Sequence, residues 1–308
     1  PSKMQAMYQV KRTSHSHFVP IRHLRYHYRS WGTPEAGVAP LVLVHGWMDV
    51  GASFQFMVDA LAKDRWIVAP DWRGFGLTDT PNTDNFWFAD YLADLDALMD
   101  LLAPAQTVDL VGHSMGGHIA TMYAGVRPQR IRKLVNLEGF GLASTQAAQA
   151  PTRYAQWLDE LAKFGRGEMD LRSYASRDAV VARLMKTNPR LSLDKAQWLA
   201  GEWSEMTAHD QWQVLGHAAH KVVGANLFQV DETVACYQHI TAPTLFVHAE
   251  EDSLLTWWKN KFTREEFMQR VHHIPDLSIE CMDDVGHMLH HDQPEQLAAM
   301  IEAFLAKA

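Results

Sequence analysis

The 308-residue chain predicts an α/β class fold, a mostly parallel central sheet flanked by helices, with a helical segment inserted into it. Two observations carry this. Short, β-branched apolar runs closed by turn residues alternate with longer amphipathic stretches, the rhythm of strand and crossover helix in a parallel sheet. The rhythm then stops from about Leu142 to Gln238, where Ala-rich and Trp-bearing stretches read as helix with no convincing buried strand.

The first clear strand is Leu41-Val42-Leu43-Val44, closed by His45-Gly46. A helix-like stretch near Ser53 to Ala62 leads to the strand Trp66-Ile67-Val68-Ala69, which Pro70-Asp71 terminates. From Phe86 to Leu102 the apolar positions Phe88, Tyr91, Leu92, Leu95, Leu98, Met99 and Leu102 recur every three or four residues, a helical repeat. Val108 to Val111 is strand again, Gly112 to Gly117 a sharp turn, Ile119 to Val126 helix, and Lys133 to Leu137 a strand ending at Glu138-Gly139. After the interruption come a strand at Thr244 to His248, a helical stretch around Trp257 to Met268, a strand at Ser278 to Met282 and a closing helix from Pro294 to Leu305. This divides the chain into a core of 20–141 and 239–308 and an insertion of 142–238 after the sixth strand, read as a helical lid.

Composition narrows the partners. With 36 acidic and 28 basic side chains the net charge is −8, which gives no electrostatic footprint for nucleic acid and leaves a small-molecule substrate as the expectation. Two cysteines, Cys236 and Cys281, make no disulfide framework and fit a reducing compartment. The apolar runs fall far short of the ~20 residues of a membrane helix. Pro1 to Val19 is polar and His-bearing without a secretory pattern, so the expected location is cytoplasmic. Composition does not speak to oligomeric state.

The strongest local signal is Gly112-His113-Ser114-Met115-Gly116-Gly117, a GxSxG sequence between an apolar strand and a helix. A serine hydroxyl becomes a useful nucleophile when a strained turn exposes it beside a base, and glycines permit that turn. With His45-Gly46-Trp47 after the first strand, Asp71-Trp72-Arg73-Gly74-Phe75-Gly76 after the second, and a late acid and histidine, the motifs run in order from about His45 to His291. In this the chain resembles the α/β-hydrolase superfamily.

The resemblance implies the chain order Ser, acid, His. Ser114 is then the nucleophile and His287, in Gly286-His287 ahead of Pro294, the general base. Asp252, ending Ala249-Glu250-Glu251-Asp252, is the implied acid; Glu138 at the end of the preceding strand is the alternative acid, or else a structural or pocket residue. The backbone N–H groups of Trp47 and Met115 are the implied oxyanion hole, with His45, Met48, His113 and Glu138 as pocket residues. His45 has no partner at metal-ligand spacing and reads as structural; no metal and no cofactor are expected. His290 and His291 read as solvated surface. Trp157, Trp198, Trp203 and Trp212 of the insertion either line an apolar pocket or pack its helices.

The expected activity is cleavage of a carboxylic ester or related acyl bond of a small, partly apolar molecule through an acyl-enzyme. Carbon–carbon bond hydrolases and cofactor-free haloperoxidases share this triad, and some members of the fold act as small-molecule receptors. Serine at 114 speaks against the aspartate-dependent haloalkane dehalogenases and epoxide hydrolases.

Overall fold

A computed structural model describes residues 6–308; residues 1–5, the start of the polar N-terminal stretch, lie outside the described residues. In chain order the strands are β1 (His15–Ile21), β2 (Leu24–Trp31), β3 (Leu41–Val44), β4 (Ile67–Pro70), β5 (Val108–His113), β6 (Ile131–Leu137), β7 (Ser173–Tyr174), β8 (Ser204–Met206), β9 (Trp212–Val214), β10 (Thr244–Ala249) and β11 (Leu277–Met282). The α-helices are α1 (Gln55–Ala60), α2 (Phe88–Leu102), α3 (Met115–Val126), α4 (Ala150–Gly165), α5 (Arg177–Thr187), α6 (Leu193–Trp203), α7 (Val230–Gln238), α8 (Ser253–Trp258), α9 (Arg264–Val271), α10 (Leu289–Asp292) and α11 (Pro294–Leu305).

Eight strands form one sheet in the order β1-β2-β4-β3-β5-β6-β10-β11. It is parallel from β4 to β11, and only β1 and β2 run antiparallel to their neighbours. The expected mostly parallel, helix-flanked sheet is therefore the observed one.

Side-chain alternation explains why helices cover both faces. Val42 and Val44 of β3, Leu134 of β6 and Phe246 of β10 enter one apolar cluster with Leu95, Ile119, Tyr123 and Phe267 from α2, α3 and α9. The residues between them, Leu41, Leu43, Val135, Leu245 and Val247, enter a second cluster with Met57, Leu297 and Ile301 of α1 and α11.

Three features depart from the sequence reading. The hairpin of β1 and β2 was not anticipated, and the sheet begins at His15, ahead of residue 20. Its signal was present in β2, where Leu24, Tyr26 and Tyr28 alternate with Arg25, His27 and Arg29. The stretch around Trp257 to Met268 is two helices, because Lys259 takes a φ of +54° and ends α8. Between β6 and β10 the chain adds no strand to the main sheet, yet β7, β9 and β8 pair into a small antiparallel sheet where only helix was expected. The last helix of that segment, α7, packs on α3 and α9, with Tyr237 inside the core cluster.

Beneath the β4–α2 connection lies a buried ion pair. Asp94 takes two hydrogen bonds from Arg73 at 2.7 and 2.9 Å and one from the Tyr26 hydroxyl at 2.6 Å. Both charged groups are shielded from water, and their other partners, Asp90 at 3.5 Å from Arg73 and Arg22 at 3.0 Å from Asp94, are partly exposed, so removing one member leaves the other poorly compensated. Asp94→Ala should lower unfolding free energy by about 3–5 kcal/mol, read from urea denaturation. No helix among the described residues is long and apolar enough to cross a membrane.

Candidate active site

The elbow between β5 and α3 presents Ser114. Its φ of +55° and ψ of −122° are strained for a residue with a side chain. Neighbouring glycines make this turn possible. A Cβ on Gly116 would lie 2.4 Å from the carbonyl oxygens of Val44 and His45, and one on Gly112 would lie 2.3 Å from the carbonyl oxygen of Gly116.

The late loop between β11 and α10 brings His287 to that hydroxyl. Ser114 Oγ lies 2.9 Å from His287 Nε2, and the other ring nitrogen, Nδ1, donates to Glu138 Oε1 at 3.1 Å. Glu138 leaves the end of β6 with a φ of +57°, and its carboxylate is fully enclosed. The Ala249 N–H at 3.0 Å and the Ser253 hydroxyl at 2.6 Å complete its hydrogen bonds. The carboxylate facing the imidazole is thus Glu138, and the expectation of Asp252 is corrected. Asp252 caps α8 instead, accepting the Leu255 N–H at 3.0 Å at a part-exposed position 4.0 Å from Arg264 Nε. Burial disfavours charge on both members of the pair: it holds the Glu138 carboxyl up to about 7 and the His287 imidazole down to about 3.

The His45-Gly46-Trp47 loop crosses directly over the serine, since a Cβ on Gly46 would touch the Ser114 Cβ at 3.0 Å. His45 holds the loop from below: Nδ1 donates to the Gly46 carbonyl at 2.7 Å and Nε2 accepts the Trp72 N–H at 3.0 Å. Two groups from the inserted segment hold it from above. Trp203 Nε1 donates to the Met48 carbonyl at 2.7 Å, and the His220 carbonyl accepts from Trp47 Nε1 at 3.3 Å. His220 itself is sandwiched between the rings of Phe75 and Phe86, each 3.7 Å away. Met115 opens α3, so its N–H has no acceptor one turn earlier in the helix. Trp198, Trp203 and Trp212 pack against an apolar cluster that joins Val180, Leu191 and Leu199 to Phe56 of α1.

Two further expectations change. His290 and His291 are buried, at 0% and 6% exposure, where solvated surface was expected. The short α10 turns them inward, and His291 Nε2 meets the Ser53 hydroxyl at 2.7 Å. His113 lies beneath the base, with Nε2 donating to the His287 carbonyl at 2.7 Å.

Sequence reasoning missed Ser253, which steadies Glu138, and Trp257, whose half-exposed ring stands edge-on to His287 at 4.3 Å between centroids. The position of Trp257 one turn into a helix just past β10 was the available signal.

A family model described as the alpha/beta hydrolase fold matches residues 39–294. A serine hydrolase-like protein of Danio rerio is 30% identical over 172 residues, which is 55% of this chain and 52% of that protein; the match thus spans about half that relative's length. A cis-3-alkyl-4-alkyloxetan-2-one decarboxylase of Shewanella oneidensis is 25% identical over 301 residues, covering 94% of this chain and 88% of that one. The thioesterase domain from the curacin biosynthetic pathway superposes with a TM-score of 0.80 at 23% identity, over 94% of this chain and 99% of that domain. With the elbow, the parallel sheet and a family match over most of its length, the chain belongs to the alpha/beta hydrolase family.

Proposed function

We propose that the chain is a serine hydrolase cleaving a carboxylic ester or related acyl bond of a small, partly apolar molecule, with Ser114 as nucleophile, His287 as base and Glu138 as the carboxylate that orients the base. The observation that carries this is the unbroken sequence of contacts from Ser114 Oγ to His287 Nε2 at 2.9 Å and from His287 Nδ1 to Glu138 at 3.1 Å.

The neutral imidazole that burial favours has a free lone pair on Nε2, because Nδ1–H is committed to Glu138. It takes the serine proton as Oγ attacks the acyl carbon. The backbone N–H groups of Trp47 and Met115 meet the developing oxyanion, each such donor being worth ~100 to 1,000-fold in rate. The protonated imidazole passes its proton to the leaving group. Water, deprotonated by the same ring, then releases the acid from Ser114. Half-exposed Trp47 and Trp257 offer apolar surface beside the serine, which supports a partly apolar acyl or alcohol group. The inserted segment, 142–238, acts as the lid, fastened to the oxyanion loop through Trp203 and His220.

A fluorophosphonate probe should label the native chain at one site and leave Ser114→Ala unlabelled. The native chain should also clear p-nitrophenyl acetate over many cycles, where a receptor would stop after one. Labelling that survives in Ser114→Ala would reject the assignment.

A further inference from the structure

Next to the base, where His113 meets the His287 carbonyl, three buried side chains converge. Asp49, His113 and His290 offer ligand atoms that all lie within 4.8 Å of one another. Their exposures are 8%, 2% and 0%. Among the described residues, four of their polar atoms have no hydrogen-bond partner: Asp49 Oδ2, His113 Nδ1 and both ring nitrogens of His290. Buried polar atoms are almost always paired, so a cluster of four left bare points to a missing occupant.

The hydrogen bonds around the cluster define what that occupant is. His113 Nε2 faces the His287 carbonyl, which only accepts, so the proton sits on Nε2 and Nδ1 turns a bare lone pair into the cluster. A ring N–H given to a backbone carbonyl is the arrangement that orients metal-bound histidines. Asp49 Oδ1 accepts the Val50 N–H at 2.8 Å, leaving Oδ2 to face inward. Either nitrogen of His290 supplies the third lone pair. Two imidazoles and one carboxylate suit zinc and its first-row neighbours, whereas calcium and magnesium favour all-oxygen sites. Ligands at ~2.0–2.2 Å from a tetrahedral zinc stand roughly 3.4 Å apart, so small side-chain rotations close the cluster onto an ion.

We infer that Asp49, His113 and His290 form a binding site for one divalent transition-metal ion of the zinc type, tied through His113 to the loop that carries His287. Because His113 grips the His287 carbonyl with its other nitrogen, an ion there fixes the backbone of the base.

The test uses the full chain, native and Ser114→Ala, stripped with a chelator and then given zinc chloride or cobalt(II) chloride. Both proteins should retain one equivalent of zinc through desalting, and cobalt(II) should give the visible ligand-field bands of a mixed nitrogen and oxygen site. Zinc at a hundredfold excess over its Kd should raise Tm by about 5 °C. His290→Gln and Asp49→Asn, confirmed as folded by circular dichroism, should lose both retention and bands. The inference is overturned if the native chain retains no zinc and shows no cobalt bands, or if both variants retain zinc as the native chain does, which would place the metal on surface histidines. Should the variants fail to fold, the cobalt spectrum of the native chain decides alone.

Discussion

Replacing Glu138 by glutamine should lower kcat for a short nitrophenyl ester by about 10⁴-fold, while Asp252→Asn leaves it within about threefold. Glutamine keeps the size of the side chain but removes the charge that balances the imidazolium, and its amide also presents a donor to the same nitrogen. The wrong tautomer then faces Ser114. Asp252 has neither effect available, because its carboxylate is spent on the first turn of α8. Tm measured alongside separates orientation from folding: Glu138→Gln should keep its Tm to within a few degrees while fluorophosphonate labelling slows with kcat. The acid limb of the rate profile adds a second reading. With Glu138 held up to about 7, the Glu138–His287 pair takes its first proton near neutrality and activity falls as that proton binds. In Glu138→Gln the residual activity should keep its acid limb below pH ~6, because burial holds the remaining imidazole down. Loss of activity in Asp252→Asn, with Glu138→Gln unaffected, would reverse the assignment.

Mild acid should unfold the protein. Six histidines, His45, His113, His118, His220, His290 and His291, are buried, and desolvation holds every imidazole below its ordinary value of 6.5. The sign follows from linkage. Between the ordinary value and the depressed one the unfolded chain binds protons that the folded chain refuses, so stability drops as pH falls. For a histidine held at 4, the loss by about pH 5 is roughly 2 kcal/mol. Asp49 and Glu138, whose carboxyls are held up to about 7, gain stability over the same range and cancel the share of about two of the six. What is left is several kcal/mol, a large part of the ~5–15 kcal/mol of a typical domain. Tm followed by circular dichroism should fall by about 10 °C or more between pH 8 and pH 5. A Tm constant across that range would mean that these imidazoles are not held neutral by the fold.

Most of the sheet was legible because parallel strands buried on both faces carry short continuous apolar runs, which fill β3 and β4 and occupy Leu110–Val111 of β5, Leu134–Val135 of β6 and Leu245–Val247 of β10. β1 was not, because its outward side chains include His15, Ser16 and Phe18, and a half-exposed edge strand carries no continuous apolar run. Ser114 and His287 were legible through local constraints, a glycine-bounded elbow and a histidine beside a loop glycine. The carboxylate that faces His287 was not, since the sequence offers one at the end of β6 and another just past the end of β10. Which of them arrives depends on what else binds each, and for Asp252 that competitor is the Leu255 N–H, three residues away in its own helix. The inward turn of His290 and His291 was hidden for a similar reason. Histidines before a helix look polar in sequence, and only the packing of α10 against α1 and α11 shows that they face inward.

Glu138 and His287 are 149 residues apart, with the inserted segment and the last two sheet strands between them. On a ribosome the elbow and its carboxylate are therefore made first, and roughly 7 to 30 s pass before the imidazole is synthesised. Throughout that interval the nascent hydroxyl is chemically quiet. Under the proposed roles, the hydroxyl gains its base only after the segment between β6 and β10 and the last two sheet strands have been made.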